Sequence, residues 1–322
     1  RRFAQAPFFE TYYTGAESNV CASLAVMGER TAFVTRIPDN AIAETGLGEL
    51  RRFGIDVSGV VRGGGRLGIY YCEKGASQRP SKVIYDRLHS GFTEATRGDF
   101  DWPSLLKGAD YFHFTGITPA LGGDLPRICE DACRAAKKAG ARISCDLNYR
   151  KNLWDTKTAS RTMTRLLAHV DHLIANEEDA EKVLGIQADG SDVTGGKLSR
   201  AGYVGVAQKL KAAFPGLRTV AITLRRSISA SDNIWGAMLF DGRKAYFSRD
   251  YNVHIVDRVG GGDSFAAGLL YALGHGFKPQ DVIEYAAAAS CLKHSIELDV
   301  NLSTVAEVRQ LMAGDGSGRV QR

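Results

Sequence analysis

Asp257-Arg258-Val259-Gly260-Gly261-Gly262-Asp263-Ser264-Phe265 runs directly into a helical pattern over residues 266–273. Three successive glycines leave backbone N–H groups bare at a helix N-terminus, with no side chain to obstruct a ligand. Unpaired donors and the positive end of the helix dipole together favour an anion there. Asp263 follows at once, so a carboxylate stands beside the donors. Phosphoryl transfer to an alcohol needs this pairing: N–H groups for the developing charge and a base for the attacking hydroxyl. Taken alone, the run also reads as a tight turn in which Asp263 caps its helix.

On either side of this segment, apolar runs alternate with helical patterns. Residues 31–36, 111–115, 142–147, 172–175 and 219–224 read as strands, and helical spacing or start signals follow at 40–53, 124–138, 158–167, 177–184 and 260–273. This alternation predicts an α/β fold: a mainly parallel sheet covered by helices on both faces, with ligands at the carboxyl ends of its strands. Residues 234–240 and 244–248 read as an antiparallel pair turning at Asp241-Gly242. Residues 67–73 and 82–88 read as a second hairpin with no helix between its strands. With the β-like stretch 8–14 they predict a small accessory sheet, a lid over the site. The Gly-, Ser- and Asp-rich stretch 190–200 reads as a mobile surface insertion, and 314–322 as a disordered tail.

A length of 322 residues is within reach of one large α/β unit. Lys plus Arg number 41 against 36 for Asp plus Glu, a net +5 without a basic run. That balance argues against nucleic acid or membrane as a partner and suits a small anionic ligand. Six cysteines without a Cys-x-x-Cys pair read as free thiols in a reducing cytoplasm. No apolar run approaches the ~20 residues of a membrane span. Gly63-x-Gly65-x-x-Gly68 precedes a strand instead of opening a helix, so the dinucleotide reading of those glycines fails.

The pattern Asp257-x-x-Gly260-Gly261-Gly262-Asp263-x-Phe265 resembles the signature near the carboxyl end of the ribokinase/PfkB carbohydrate kinases, which usually have Ala where this chain has Gly261. The resemblance runs over nearly the whole chain from Phe3. It implies a ribokinase-like three-layer αβα sandwich, with 1–322 as one kinase domain and a lid from about 3–14 and 66–90 inserted in it. It implies that Gly260, Gly261 and Gly262 form an anion hole, that Asp263 is the catalytic base, and that ATP and Mg²⁺ are the cofactors. Asn176-Glu177-Glu178-Asp179 resembles the family's Asn-x-x-Glu element, which implies a phosphate role for Asn176 and a metal role for Asp179, one carbon shorter than the usual Glu. Thr223 and Arg225 fall at a strand end where the family places phosphate contacts. Residues 287–294, with Ala287 and Ser290, resemble the helix that walls the adenine. Simple packing is the alternative for both.

Within that family, Gly15-Ala16-Glu17-Ser18-Asn19, Arg79-Pro80-Ser81, Tyr85-Asp86-Arg87 and Asp146-Leu147-Asn148-Tyr149-Arg150 are most similar to the 2-keto-3-deoxygluconate kinases. The likeness implies that Gly15, Asn19, Tyr70, Tyr85, Arg87, Arg150 and Asp263 surround a sugar acid that becomes a 6-phosphate. The residue chemistry agrees, because a guanidinium takes a carboxylate with two parallel bonds and phenols donate to its oxygens. For Arg87 the alternative is a surface salt bridge with Asp86 or Glu73. Other readings are a kinase of the same fold for 2-keto-3-deoxygalactonate or fructose, and a sugar- or nucleotide-binding homologue without catalysis. An exposed lid edge predicts a homo-oligomer. The family pattern opens on a strand ahead of the segment matching 3–13, beyond which this sequence starts, and Thr14 stands where Gly is common.

Overall fold

In the computed structural model, which describes residues 2–187, 200–314 and 316, eleven strands follow one another. They are β1 (Arg36–Ile37), β2 (Val61–Arg62), β3 (Ile69–Glu73), β4 (Lys82–Asp86), β5 (Tyr111–Thr115), β6 (Arg142–Asp146), β7 (His172–Ala175), β8 (Thr219–Ser227), β9 (Asp232–Phe240), β10 (Ala245–Phe247) and β11 (Tyr251–His254). The helices are α1 (Ala16–Val26), α2 (Ala41–Arg52), α3 (Trp102–Leu105), α4 (Ile117–Ala120), α5 (Leu125–Ala139), α6 (Thr156–Leu167), α7 (Glu177–Leu184), α8 (Arg200–Ala213), α9 (Gly261–Gly274), α10 (Pro279–Lys293) and α11 (Val305–Met312).

The main sheet has the order β10-β9-β8-β7-β6-β5, with β11 also on β9. Strands β5 to β8 are parallel, and β9 is antiparallel to β8, β10 and β11. The central strands lack an apolar–polar alternation because both sheet faces are buried. On β7, Leu173 and Ala175 enter one core and Ile174 the other; on β8, Val220 and Ile222 are divided from Ala221 in the same way. Helices α5, α6 and α8 fill the first core with Cys133, Met163 and Leu210, and α1, α9, α10 and α11 fill the second with Val20, Phe265, Ile283 and Val308. The result is the three-layer αβα sandwich. Helix starts are fixed locally: the side chains of Asn40, Asp155 and Asn176 each accept a backbone N–H at the head of α2, α6 and α7.

Two expected strands differ. Residues 31–36 run extended but join only a single bridge, Ala32 to Asp56, before β1 pairs β2. The partner segment is interrupted by a turn in which Val60 N–H donates to the Val57 carbonyl, so the ladder cannot continue between Asp56 and Val61. Residues 8–14 form no strand, leaving the accessory sheet with β3 and β4 alone. Pro7 offers no N–H at the start of that stretch, and it lies on the hairpin through rings instead, Phe9 against Tyr71 at 5.4 Å. The insertion expected at 190–200 and the tail expected at 314–322 lie, but for Arg200, Gly314 and Gly316, outside the described residues.

Candidate active site

The glycine turn is shaped from behind and open in front. Gly260 takes φ 79°, and a Cβ there would meet the Asp299 carbonyl oxygen at 1.8 Å, so no other residue fits. A Cβ on Gly261 would lie 2.7 Å from His294 Cε1. The Gly261 carbonyl is held by the Ser290 hydroxyl, which donates to it at 2.7 Å. Gly262 has nothing within 4 Å of where its Cβ would point. Its free side borders a cavity of about 400 Å³, so a side chain there would occupy the space an anion needs.

Asp263 lines the same cavity, in the first turn of α9. Asn19, on α1, donates from Nδ2 to Asp263 Oδ2 at 2.7 Å, and no hydrogen bond within the described protein occupies the other oxygen. Crowding by protein pushes the carboxyl up to about 7; the Asn19 bond opposes this, Glu17 and Asp299 add to it, and Arg150 opposes it. A carboxylate in that range accepts a proton well at neutral pH. Glu17 is itself fixed, accepting from Thr115 N, Thr115 Oγ1 and Thr118 Oγ1.

Above the base stands the β3–β4 hairpin. Tyr70 and Tyr85 are directly paired on it, and both reach the cavity. The Tyr70 hydroxyl donates to Asp299 Oδ2 at 2.6 Å, as does Thr14 Oγ1 at 2.6 Å. Asp299 therefore joins the hairpin to the loop that abuts Gly260. The Arg87 guanidinium lies over the Tyr85 ring at 4.1 Å. The salt bridges considered for Arg87 do not form: Asp86 pairs with Arg66, and Glu73 with Arg2 and Arg79. Arg150, just past β6, donates to the neighbouring Tyr149 carbonyl and otherwise faces the cavity. Burial and the nearby Arg150 charge lower the Arg87 pKa.

At the opposite end, Thr223 and Arg225 border the cavity with Asn176, just after β7, and the glycine turn; β8 continues to Ser227, so Thr223 is mid-strand and not at the strand end expected near 224. Asp179 is buried and closes a capping box with Asn176, accepting from Asn176 N at 3.4 Å and from Tyr149 N at 3.2 Å. Among the described residues no group of three or more His, Cys, Asp or Glu could hold a metal ion by itself. Mg²⁺ asks for less, commonly one or two carboxylates with waters and phosphates. Asp146 and Asp179 both line the cavity. The Asp146 carboxyl is pushed well above the ordinary range, first by burial and then by Asp179 and Asp263. An acid so placed gains from a cation, and the donor set fits water-mediated Mg²⁺.

Ala287 and Ser290 do not reach the cavity. Ala287 is wholly buried between helices, and Ser290 supports the glycine turn from beneath. The cause is the close approach of α10 to α9, where a Cβ on Gly268 would lie 3.0 Å from Ala286 Cα. Among the cavity residues to which the sequence reading gave no role are Asp146, Arg258 and Asp299. Asp146 and Arg258 sit inside quoted motifs and could have been found there, whereas Asp299 carries no local signal. A larger cavity, about 2490 Å³, opens between residues 33–35 and β5, and Asp263 does not border it.

Residues 3–297 match the pfkB family carbohydrate kinase pattern. A 2-dehydro-3-deoxygalactonokinase of Haloferax volcanii is 30% identical over 317 residues, 98% of this chain and 92% of the relative. The crystal structure of a 2-dehydro-3-deoxygluconokinase from Thermotoga maritima is 49% identical with a TM-score of 0.93, covering 98% of this chain and 93% of that one. A putative ribokinase II from E. coli, solved with ATP and Mg²⁺, has a TM-score of 0.78 at 17% identity over 97% and 93% of the two chains, a likeness of fold.

Proposed function

The chain belongs to the pfkB family of carbohydrate kinases, and on that premise we propose that it transfers the terminal phosphoryl group of ATP to the 6-hydroxyl of 2-keto-3-deoxygluconate, giving the 6-phosphate and ADP. The observation that carries this reading is one cavity holding both the base Asp263 and two guanidinium groups, Arg87 and Arg150, that form no salt bridge among the described residues. A neutral sugar would offer neither guanidinium a carboxylate to bind. The 49% identity to the Thermotoga maritima 2-dehydro-3-deoxygluconokinase supports the same substrate. The Haloferax volcanii relative favours one second reading, the galactonate epimer. The two sugar acids (2-dehydro and 2-keto name the same compounds) differ only in the configuration of one hydroxyl-bearing carbon.

In the proposed reaction Asp263 takes the proton of the attacking hydroxyl. The N–H groups at the head of α9 receive charge from the transferred phosphoryl group. Arg87, Arg150 and the two tyrosines hold the carboxylate and keto oxygens, with Gly15 and Asn19 along the sugar. Thr223, Arg225 and Asn176 take the nucleotide phosphates, and Asp179 and Asp146 would hold Mg²⁺. When bound, Mg²⁺ would spread charge over the phosphate oxygens. The hairpin acts as a lid that excludes water and so suppresses ATP hydrolysis. The same reading makes the protein a cytoplasmic homo-oligomer.

The test is ADP release with MgATP and, in parallel, 2-keto-3-deoxygluconate, its galactonate epimer, fructose and ribose. The expected result is a kcat/KM for the gluconate acid at least about tenfold above either neutral sugar. Equal or better turnover of fructose or ribose would overturn the carboxylate reading. Preference for the epimer would move the assignment to the second reading.

A further inference from the structure

The cavity holds a second pair of like charges. Arg225, at the end of β8, and Arg258, two residues before the glycine turn, both line it, and each charge acts on the other. Neither meets a carboxylate in an ion pair among the described residues. Arg258 makes one hydrogen bond, from Nη2 to the Ala230 carbonyl at 3.1 Å, out of the five donors a guanidinium carries. Its neighbour Asp257 is spent elsewhere: it pairs with Lys74 at 2.9 Å and accepts from Val259 N and Leu298 N. Both guanidinium charges are also felt by His294, the ring that lies under Gly261. Both therefore lie near the turn, whose Gly260, Gly261 and Gly262 line the same cavity.

Two unpaired guanidinium groups held together repel, and a polyanion between them removes that repulsion. Resting on the kinase reading above, we infer that Arg258 is a further catalytic residue: with Arg225 on the same cavity, its free N–H groups grip the oxygens of the phosphoryl group in transfer. Arg258 suits the transferred group better than the rest of the nucleotide because it belongs to the same turn as Gly260 and Gly261. Its half-buried stem and the Ala230 bond hold it in place before the ligand arrives, as stabilisation of a developing charge requires. Arg225 is exposed at a strand end and serves binding more than transfer. The bond that forms is between the sugar oxygen and phosphorus, the bond that breaks is between phosphorus and the oxygen of ADP, and the proton goes to Asp263.

The test compares wild type with Arg258→Met and Arg258→Lys, reading kcat, sugar KM, and calorimetric affinities for ADP and for a non-hydrolysable ATP analogue. Arg258→Met is expected to lower kcat about 100-fold and to weaken the analogue, with sugar KM and ADP affinity unchanged. Arg258→Lys, which keeps the charge and the reach to Ala230 but loses the fork, recovers part of kcat; it also decides the matter should the Met variant fail to fold. A wild-type kcat in either variant overturns the inference. So does a loss shared equally by ADP, the analogue and the sugar, which would mark Arg258 as a mere tether of the Ala230 loop. The nucleotide arm needs no sugar. A wild-type protein that distinguishes the analogue from ADP but phosphorylates none of the sugars counts against the substrate reading alone.

Discussion

Burial outweighs the Asn19 hydrogen bond at Asp263 and pushes its carboxyl up to about 7. The base is ionised above that value, so kcat/KM for the sugar at saturating MgATP rises as pH climbs through about 7. Glu17→Gln keeps the oxygen that accepts from Thr115 and Thr118 but removes a charge that raises Asp263. The acid limb of the profile should move to lower pH in that variant, and an unmoved limb would count against Asp263 as the base. Linkage gives an independent reading. The folded carboxyl titrates above its ordinary 3.8, so its destabilising effect is absent below that value, grows as pH rises and levels off above about 7. Asp263→Asn removes it; turnover falls about 100-fold or more, while Tm gains more near about pH 8 than near about pH 5. Asp263 is legible in sequence through the resemblance of Asp257-x-x-Gly260-Gly261-Gly262-Asp263-x-Phe265 to the family signature, since the glycine run alone also suits a capped turn. Asp299 is not, since its role depends on Tyr70 and Thr14 arriving from far along the chain.

Between elements, the contact that decides most is α9 on α10. Gly268 lets the helices approach, and the Ser264 hydroxyl donates across to the Ala289 carbonyl at 3.0 Å. That closeness draws Ala287 and Ser290 into the interface and out of the cavity lining, which a sequence pattern cannot distinguish because small residues suit both places. It also explains Gly261, where the family usually has Ala. His294 at the end of α10 fills the space a methyl would take, 2.7 Å away. Gly261→Ala should lower stability by about 1–3 kcal/mol and reduce kcat, because relief of the clash moves the turn. In the double variant with His294→Ala, both losses should shrink below the sum of the single changes. Thermal denaturation and ADP release on the four proteins check this; strict additivity would mean that the ring and the turn are not coupled. Strands β7 and β8 are legible because burial on both faces writes the apolar runs 173–175 and 220–222. Residues 31–36 and 8–14 carry strand-like composition too, but a ladder also needs an uninterrupted partner, and composition is silent about that.

For the whole molecule, the hairpin is one place where the fold leaves apolar side chains uncovered. Strand alternation turns Tyr70, Tyr85 and Val83 toward the cavity and Ile69, Tyr71 and Ile84 to the opposite face. Ile69 and Ile84 are exposed, as are Phe9, whose ring lies against Tyr71, and Leu88 just beyond β4. A two-stranded sheet with an apolar outer face is marginal on its own in water, and contiguous patches of this kind mark contact surfaces. A second copy of the chain presenting the same face would cover it, and a two-fold arrangement makes the patch its own complement. Light scattering on a size-exclusion column should therefore give at least twice the mass of one chain. Ile84→Asp, on the outer face, should give single chains, whereas Val83→Asp, on the cavity face, should leave the assembly whole. A wild-type protein that runs as single chains would overturn this, as would Val83→Asp dissociating it and Ile84→Asp not. Because Tyr70 and Tyr85 ride on the same two strands, the dissociated Ile84→Asp protein should also show a raised sugar KM with its nucleotide affinity retained. That would mean the partner steadies the lid over the sugar without touching the phosphate end of the cavity.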